Sequence, residues 1–183
     1  MRLFVAIDID DDAKSRISDI INKLKHTDYD VKWVRPENLH ITLKFLDEVY
    51  EDDIDGIVKG ISDTVKDTNK FTLGIGEVGY FGNPGFVKVI WIDVKKGKNE
   101  LIDLSKNINK QLSHTRSEDH EPSSHITIGR VRSNRNMDKL MKSINELKDV
   151  KLCEVDVKNV KLKSSVLQKD GPVYSDFKTF TLK

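Results

Sequence analysis

The sequence has a single cysteine, Cys153, in 183 residues. No internal disulfide can form, and a Cys-rich zinc site is excluded. An excess of charge is missing as well: 31 Lys and Arg stand against 30 Asp and Glu, for a net charge of +1. Proteins that grip long nucleic acid along its backbone carry a strong basic surplus. The balance here favours a small ligand or a short strand end held at one local site. No apolar run approaches the roughly 20 residues of a membrane span. The opening segment MRLFVAIDIDDD is too short in its apolar part for a signal sequence and runs straight into acids. A cytoplasmic protein with no membrane partner is the expectation. P-loop, Rossmann-type glycine pattern and G-x-S-x-G elbow are all lacking. Gly74-Ile75-Gly76 precedes no helix and reads as a turn.

What is present is a regular alternation of elements. Arg2 to Ile9 is a β-branched and aromatic run that reads as a buried strand. Asp10 to Asp12 supply cap and first-turn acids for a helix with apolar Ala13, Ile17, Ile20, Ile21 and Leu24 on one face. An extended segment starts at Val31 to Val34, is interrupted by Pro36 and continues from Leu39 to Leu46. A second helix carries Ile54, Ile57, Val58, Ile61 and Val65. Strands at Phe71 to Ile75 and Phe86 to Val94 flank the turn-rich GYFGNPG of Gly79 to Gly85. A third helix (Leu101, Leu104, Ile108, Leu112) leads through a polar loop, Ser113 to Ser124, into HITIGRV. A fourth carries Met137, Leu140, Met141, Ile144 and Leu147. The remainder is extended: Cys153 to Leu167, with an apolar phase shift that predicts a bulge or bend near Lys158-Asn159, then a turn at Lys169 to Pro172 and a strand from Val173 to Leu182. Cys153 itself reads as a small apolar core residue. This order predicts an α+β fold rather than a doubly wound parallel sheet.

The chain also contains a weak internal repeat. HITLKF begins at His40 and HITIGR at His125, and each is followed by a helix with matching apolar offsets: Ile54/Met137, Ile57/Leu140, Val58/Met141 and Ile61/Ile144. Two pseudo-symmetric antiparallel-sheet lobes with outer helices and a central cleft are therefore expected, interleaved in one domain spanning 1–183.

His-x-Thr on a strand places imidazole and hydroxyl on one face, with Ile41/Leu43 and Ile126/Ile128 turned the other way. Chance predicts roughly a quarter of one His-x-Thr among five histidines; the sequence has two, His40-Ile41-Thr42 and His125-Ile126-Thr127. One neutral histidine can take a proton from water while a protonated one delivers a proton to a leaving oxygen, since both forms exist near neutral pH. Thr42 and Thr127 can bind phosphate oxygens. A cation can offset growing charge, for which Arg130 is the first candidate and Lys44 and Lys88 are poorer ones. His26, His114 and His120 read as solvated. No third ligand accompanies His40 and His125 at metal spacing, so no metal site is expected. Trp33, Phe45, Tyr80, Phe81 and Trp91 read mainly as core, with Tyr80 and Phe81 as candidates for base stacking.

The paired motifs resemble the signature of the 2H phosphoesterase superfamily. Their context, MRLFVAIDI, ENLHITLKFLDEV, FGNPGFVKVIW, HITIGRV and SSVLQKDGPVYS in that order, is similar to its RNA 2′,3′-cyclic phosphodiesterase branch, the 2′-5′ RNA ligase-like proteins. The resemblance implies metal-free, cofactor-free hydrolysis of a terminal 2′,3′-cyclic phosphate to a 2′-phosphate. His40 would be the proton donor and His125 the proton acceptor, with Thr42, Thr127 and Arg130 on the phosphate. It implies RNA 3′ ends bearing that cyclic phosphate as the partner, tRNA-derived ends among them, a monomeric protein, and the reverse 2′-5′ ligation in vitro. The sequence departs from relatives in having Pro122-Ser123-Ser124 rather than an aromatic before the second motif, and Gly85 and Lys88 where arginines are common. Two rival readings are an esterase for small cyclic nucleotides or ADP-ribose cyclic phosphates, and a non-catalytic module that binds RNA ends.

Overall fold

The apolar stripes and β-branched runs of the chain resolve into four helices and nine strands in the computed structural model, which describes residues 1–25, 28–113, 115 and 124–183. In chain order these are β1 (Arg2–Asp8), α1 (Asp11–Lys25), β2 (Val31–Trp33), β3 (His40–Glu48), α2 (Glu51–Val65), β4 (Phe71–Asn83), β5 (Phe86–Val94), α3 (Lys98–Gln111), β6 (His125–Val131), α4 (Met137–Glu146), β7 (Lys151–Val157), β8 (Asn159–Gln168) and β9 (Gly171–Thr181). The α1 stripe is buried as the periodicity requires, at Ala13, Ile17, Ile20, Ile21 and Leu24, and its first turn is capped by Asp10, whose Oδ1 accepts the Ala13 N–H at 2.8 Å.

The strands form two antiparallel sheets, a four-stranded one in the order β3-β1-β8-β9 and a five-stranded one in the order β2-β6-β5-β4-β7. Apart from β2, the orders correspond strand for strand, β3 to β6, β1 to β5, β8 to β4 and β9 to β7. The helices are exchanged. Helices α2 and α3 pack on the four-stranded sheet, at β9 and β3, while α1 and α4 pack on the five-stranded one, at β7 and β4. Helix α1 thus leaves the sheet of β1 to cover the other, and α3 does the reverse from β5. The result is a two-lobed α+β fold, as expected, and one apolar cluster runs through both lobes. The helix repeat is visible in burial: Ile57 and Leu140 are buried, Ile61 and Ile144 are buried, and Val58 and Met141 are both half-buried.

Four local expectations need correction. The segment broken by Pro36 is two strands on different sheets, because a 3₁₀ turn at Pro36–Asn38 redirects the chain from β2 to β3. The phase shift near Lys158-Asn159, expected as a bulge or bend within one run, is a change of sheet: β7 belongs to one sheet and β8 to the other, and the chain crosses between lobes there. Gly79 to Asn83 continue β4, leaving only Pro84 and Gly85 between it and β5. Gly74 and Gly76 also lie inside β4. A side chain on Gly76 would collide with the Val150 carbonyl, so that glycine answers a close backbone approach beside the bulge residue Glu77 (φ 58°).

Candidate active site

Each HITx motif opens a strand, β3 at His40 and β6 at His125, and these strands face one another across the gap between lobes. Alternation sends Ile41, Leu43, Ile126 and Ile128 into the core and leaves His40, Thr42, His125 and Thr127 on the walls of a cavity of about 450 Å³. Arg130 lines it too. The structure thus brings together all five residues that the sequence singled out as proton-transferring or phosphate-binding.

The local chemistry of His40 is well defined. Its Nδ1 lies 2.7 Å from the Asn38 carbonyl oxygen, which can only accept, so Nδ1 carries the hydrogen. Nε2 is thereby the reactive nitrogen, 3.0 Å from Thr42 Oγ1. Asn38 is held in turn, because its Nδ2 donates to the Pro172 carbonyl at 3.0 Å. The ring leans on Phe4 (centroids 5.1 Å apart) and meets Tyr174 edge-on at 5.4 Å. Burial holds its pKa below the ordinary histidine value. Nearby Lys163 adds to that effect, while the Asn38 carbonyl and Asp8 oppose it. His125 is also lowered, first by burial and then by Arg130 and Lys98, with Asp93 opposing. Phe81 stands edge-on to His125 at 4.8 Å, and Trp91 lies 6.1 Å away.

The aromatic candidates separate by strand parity. Phe81, 45% exposed, lines the cavity, whereas Tyr80 projects from the other face of β4 and packs on the core, which leaves Phe81 as the stacking candidate of that pair. Trp33 and Phe45, expected mainly as core, line the cavity as well. Of the poorer cation candidates, Lys44 is turned away and donates to Asn109 Oδ1 at 2.9 Å, and Lys88 lies over the Phe86 ring. His26, His114, His120, Pro122 and Ser123 lie outside the described residues.

Sequence reasoning missed Lys32, Arg35, Asn38 and Tyr174, which also line the cavity. Lys32 is brought there by pairing with Arg130 across β2 and β6. Arg35 donates to the Asp170 carbonyl at 3.0 Å, tying the turn between β8 and β9 over the cavity. No local motif marks these residues; only the sheet orders bring them together. Among the described residues, no three or more His, Cys, Asp or Glu gather as a metal-ligand group. No described helix is long and apolar enough to cross a membrane.

Comparison with known proteins agrees with this geometry. The family model of the 2′-5′ RNA ligase superfamily matches residues 10–164. A protein of Methanothermobacter thermautotrophicus named RNA 2′,3′-cyclic phosphodiesterase is 36% identical, over 100% of this chain and 99% of its own length. Among solved structures, TT0787 of Thermus thermophilus superposes with a TM-score of 0.81 at 22% identity, covering 100% of this chain and 98% of that one. LigT of E. coli in its apo form gives a TM-score of 0.76 at 23% identity, covering 99% and 96%. The chain belongs to the 2′-5′ RNA ligase superfamily and groups, end to end, with its RNA 2′,3′-cyclic phosphodiesterases.

Proposed function

We propose that this protein hydrolyses the terminal 2′,3′-cyclic phosphate of RNA to a 2′-phosphomonoester by two-histidine acid and base catalysis. The observation that carries the reading is the pair of His-x-Thr strands facing one cavity, with Arg130 beside them. A water molecule attacks phosphorus and gives its proton to His125. The bond from phosphorus to the ribose 3′ oxygen breaks, and His40 Nε2–H protonates that oxygen, leaving a 3′ hydroxyl and a 2′-phosphate. Thr42, Thr127 and Arg130 hold the non-bridging oxygens as negative charge grows on them. The Asn38 carbonyl favours His40 as the donor, because an acceptor on Nδ1–H stabilises the charged ring. Water attack and leaving-group departure both have a proton carrier in this scheme, so no step calls for a metal or cofactor.

The aromatic walls formed by Trp33, Phe45, Phe81 and Tyr174 suit the bases of an RNA end. The three cations Lys32, Arg35 and Arg130 favour a substrate with more than one phosphate, hence an oligonucleotide end over a mononucleotide. A short RNA ending in a 2′,3′-cyclic phosphate, incubated in EDTA, tests the reading. A 2′-phosphate product supports it, a 3′-phosphate reverses the assigned leaving group, and tight binding without product points to a module that only grips RNA ends. With a 5′ hydroxyl in place of water, attack on the cyclic phosphate forms a 2′-5′ phosphodiester as the bond to the 3′ oxygen breaks and that oxygen is protonated, which would account for 2′-5′ ligation on this site.

A further inference from the structure

In each lobe the strand beside the histidine strand carries an aspartate directly across from the histidine. Asp8 of β1 is paired with His40, and Asp93 of β5 with His125. The register continues in step, since Thr42 faces Ala6 and Thr127 faces Trp91. The two strands share a local pattern, Ile7-Asp8-Ile9 and Ile92-Asp93-Val94. Residues paired across an antiparallel ladder point to the same face with Cβ atoms roughly 4.5–5.5 Å apart. Each imidazole therefore has a carboxylate beside it, and neither aspartate lines the cavity.

Both aspartates are fixed by lysines. Asp8 accepts from Lys163 at 2.9 and 3.0 Å and pairs with Lys161 at 2.8 Å, and the same two lysines hold Asp176 at 2.6 and 2.5 Å. Asp93, 8% exposed, lies 3.0 Å from Lys95 and 3.4 Å from Lys98, and Lys95 also pairs with Glu77 at 2.7 Å. Taking such charges out of water is costly, and a packed apolar pair would serve stability as well or better. The shared register of the two aspartates is explained by what they face.

We propose that Asp8 and Asp93 are equivalent positioning residues, one for each histidine, that stabilise the imidazolium against the surrounding cations, the form from which His40 donates and the form His125 acquires on taking the water proton. The proposal rests on the reading that His40 and His125 exchange protons with the substrate. Facing His40 are Asp8 from β1, Lys163 from β8 and Tyr174 from β9, with Lys161 and Asp176 paired behind Asp8 and Lys163. Facing His125 are Asp93 from β5, Lys98 from α3 and Arg130 from its own strand, with Lys95 behind Asp93. In both sets the aspartate favours the charged ring and the cations oppose it. Without Asp8, Lys161 and Lys163 would keep Asp176 as the carboxylate they share; without Asp93, Arg130 and Lys98 would act on His125 with that counter-charge removed.

The test is imidazole titration by NMR in the full chain, paired with the pH profile of kcat. Asp93→Asn is expected to move the His125 midpoint to lower pH and leave His40 in place, and Asp8→Asn to do the converse. Each should lower kcat roughly threefold to tenfold with KM within about twofold. On the assigned roles, Asp93→Asn shifts the acid limb of the profile and Asp8→Asn the alkaline limb, both downward. Unmoved midpoints, or both rings moving together in either variant, would overturn the proposal. Correct midpoint shifts with the limbs exchanged would sustain the pairing and overturn instead the donor and acceptor roles given above. Should Asp8→Asn fail to fold, Asp8→Asn with Lys163→Met removes the bared cation as well. Its His40 midpoint should lie below that of Lys163→Met alone, and an equal or higher midpoint counts against the proposal.

Discussion

The Asn38 carbonyl accepts a hydrogen bond from His40 Nδ1, 2.7 Å away, and so fixes the tautomer that turns Nε2 toward Thr42 and the cavity. A ring held in this way can pass its proton only at Nε2. His40→Ala and His125→Ala should each lower turnover of a cyclic-phosphate RNA by roughly 10²–10⁴-fold, with the folded fraction checked by circular dichroism at the assay temperature. End-group analysis of matched reactions measures it. Turnover unchanged in both variants would remove the two-histidine mechanism.

The threonines and Arg130 should separate in kinetics. Thr42→Val and Thr127→Val keep shape and lose one hydroxyl, and are expected to lower kcat/KM by roughly tenfold each, the value of about 1.4 kcal/mol. Arg130→Met removes a charge aimed at the growing phosphate charge and should cost on the order of 10²-fold, mostly in kcat. Lys32→Met should act instead on KM and flatten its dependence on salt. If Arg130→Met changed KM alone, the arginine would be a docking contact.

Phe45 and Phe81 line the cavity and are 44% and 45% exposed, an exposure that packing does not explain. Stacking of a base is worth about 1–3 kcal/mol. Phe45→Ala and Phe81→Ala should therefore raise KM for an oligonucleotide by roughly tenfold and spare stability. Equal effects on a mononucleotide and an oligonucleotide would place the stacked base at the terminal nucleotide only.

Stability should depend on pH through the two histidines. Burial holds both below the ordinary value in the folded protein, whereas the unfolded chain binds protons near ~6.5. Below that pH the unfolded state carries more protons, so stability falls as the pH falls, and above it the contribution is constant. The unfolding temperature should drop between about pH 7 and pH 5, and drop less in His40→Gln. A decline of equal depth in that variant would assign the effect to other groups.

Two glycines make a matched pair for the backbone argument. An added methyl at Gly76 meets the Val150 carbonyl and lies 3.1 Å from Lys151 Cα, atoms that cannot yield, while at Gly85 it meets only Asn83 Oδ1 at 3.6 Å. Gly76→Ala should cost about 1–3 kcal/mol and Gly85→Ala within about 0.5 kcal/mol, as read by denaturant unfolding.

Much of the site was legible because its signal is local. A histidine and a threonine two apart on a strand share a face whatever the rest of the chain does, and two copies of the pattern named four residues of the cavity wall, His40, Thr42, His125 and Thr127. The four helices were legible for the same reason, as Ala13, Ile17, Ile20, Ile21 and Leu24 in α1 illustrate. Tyr80 against Phe81 was not resolved, because parity is fixed only once the bulge at Glu77 and the pairing of β4 are known.

The sequence by itself determined the elements, the repeat and the chemistry of the paired motifs, since each depends on spacing within a few residues. Tertiary structure alone decided which sheet each strand joins: that β2 leaves β3 for β6, that β8 parts from β7, and that α1 and α3 exchange lobes. Those choices put Lys32, Arg35 and Tyr174 into the cavity and set Asp8 and Asp93 across from the histidines. The physical reason is that strand partners are selected by burial of whole faces over long chain separations, which no short window of sequence encodes.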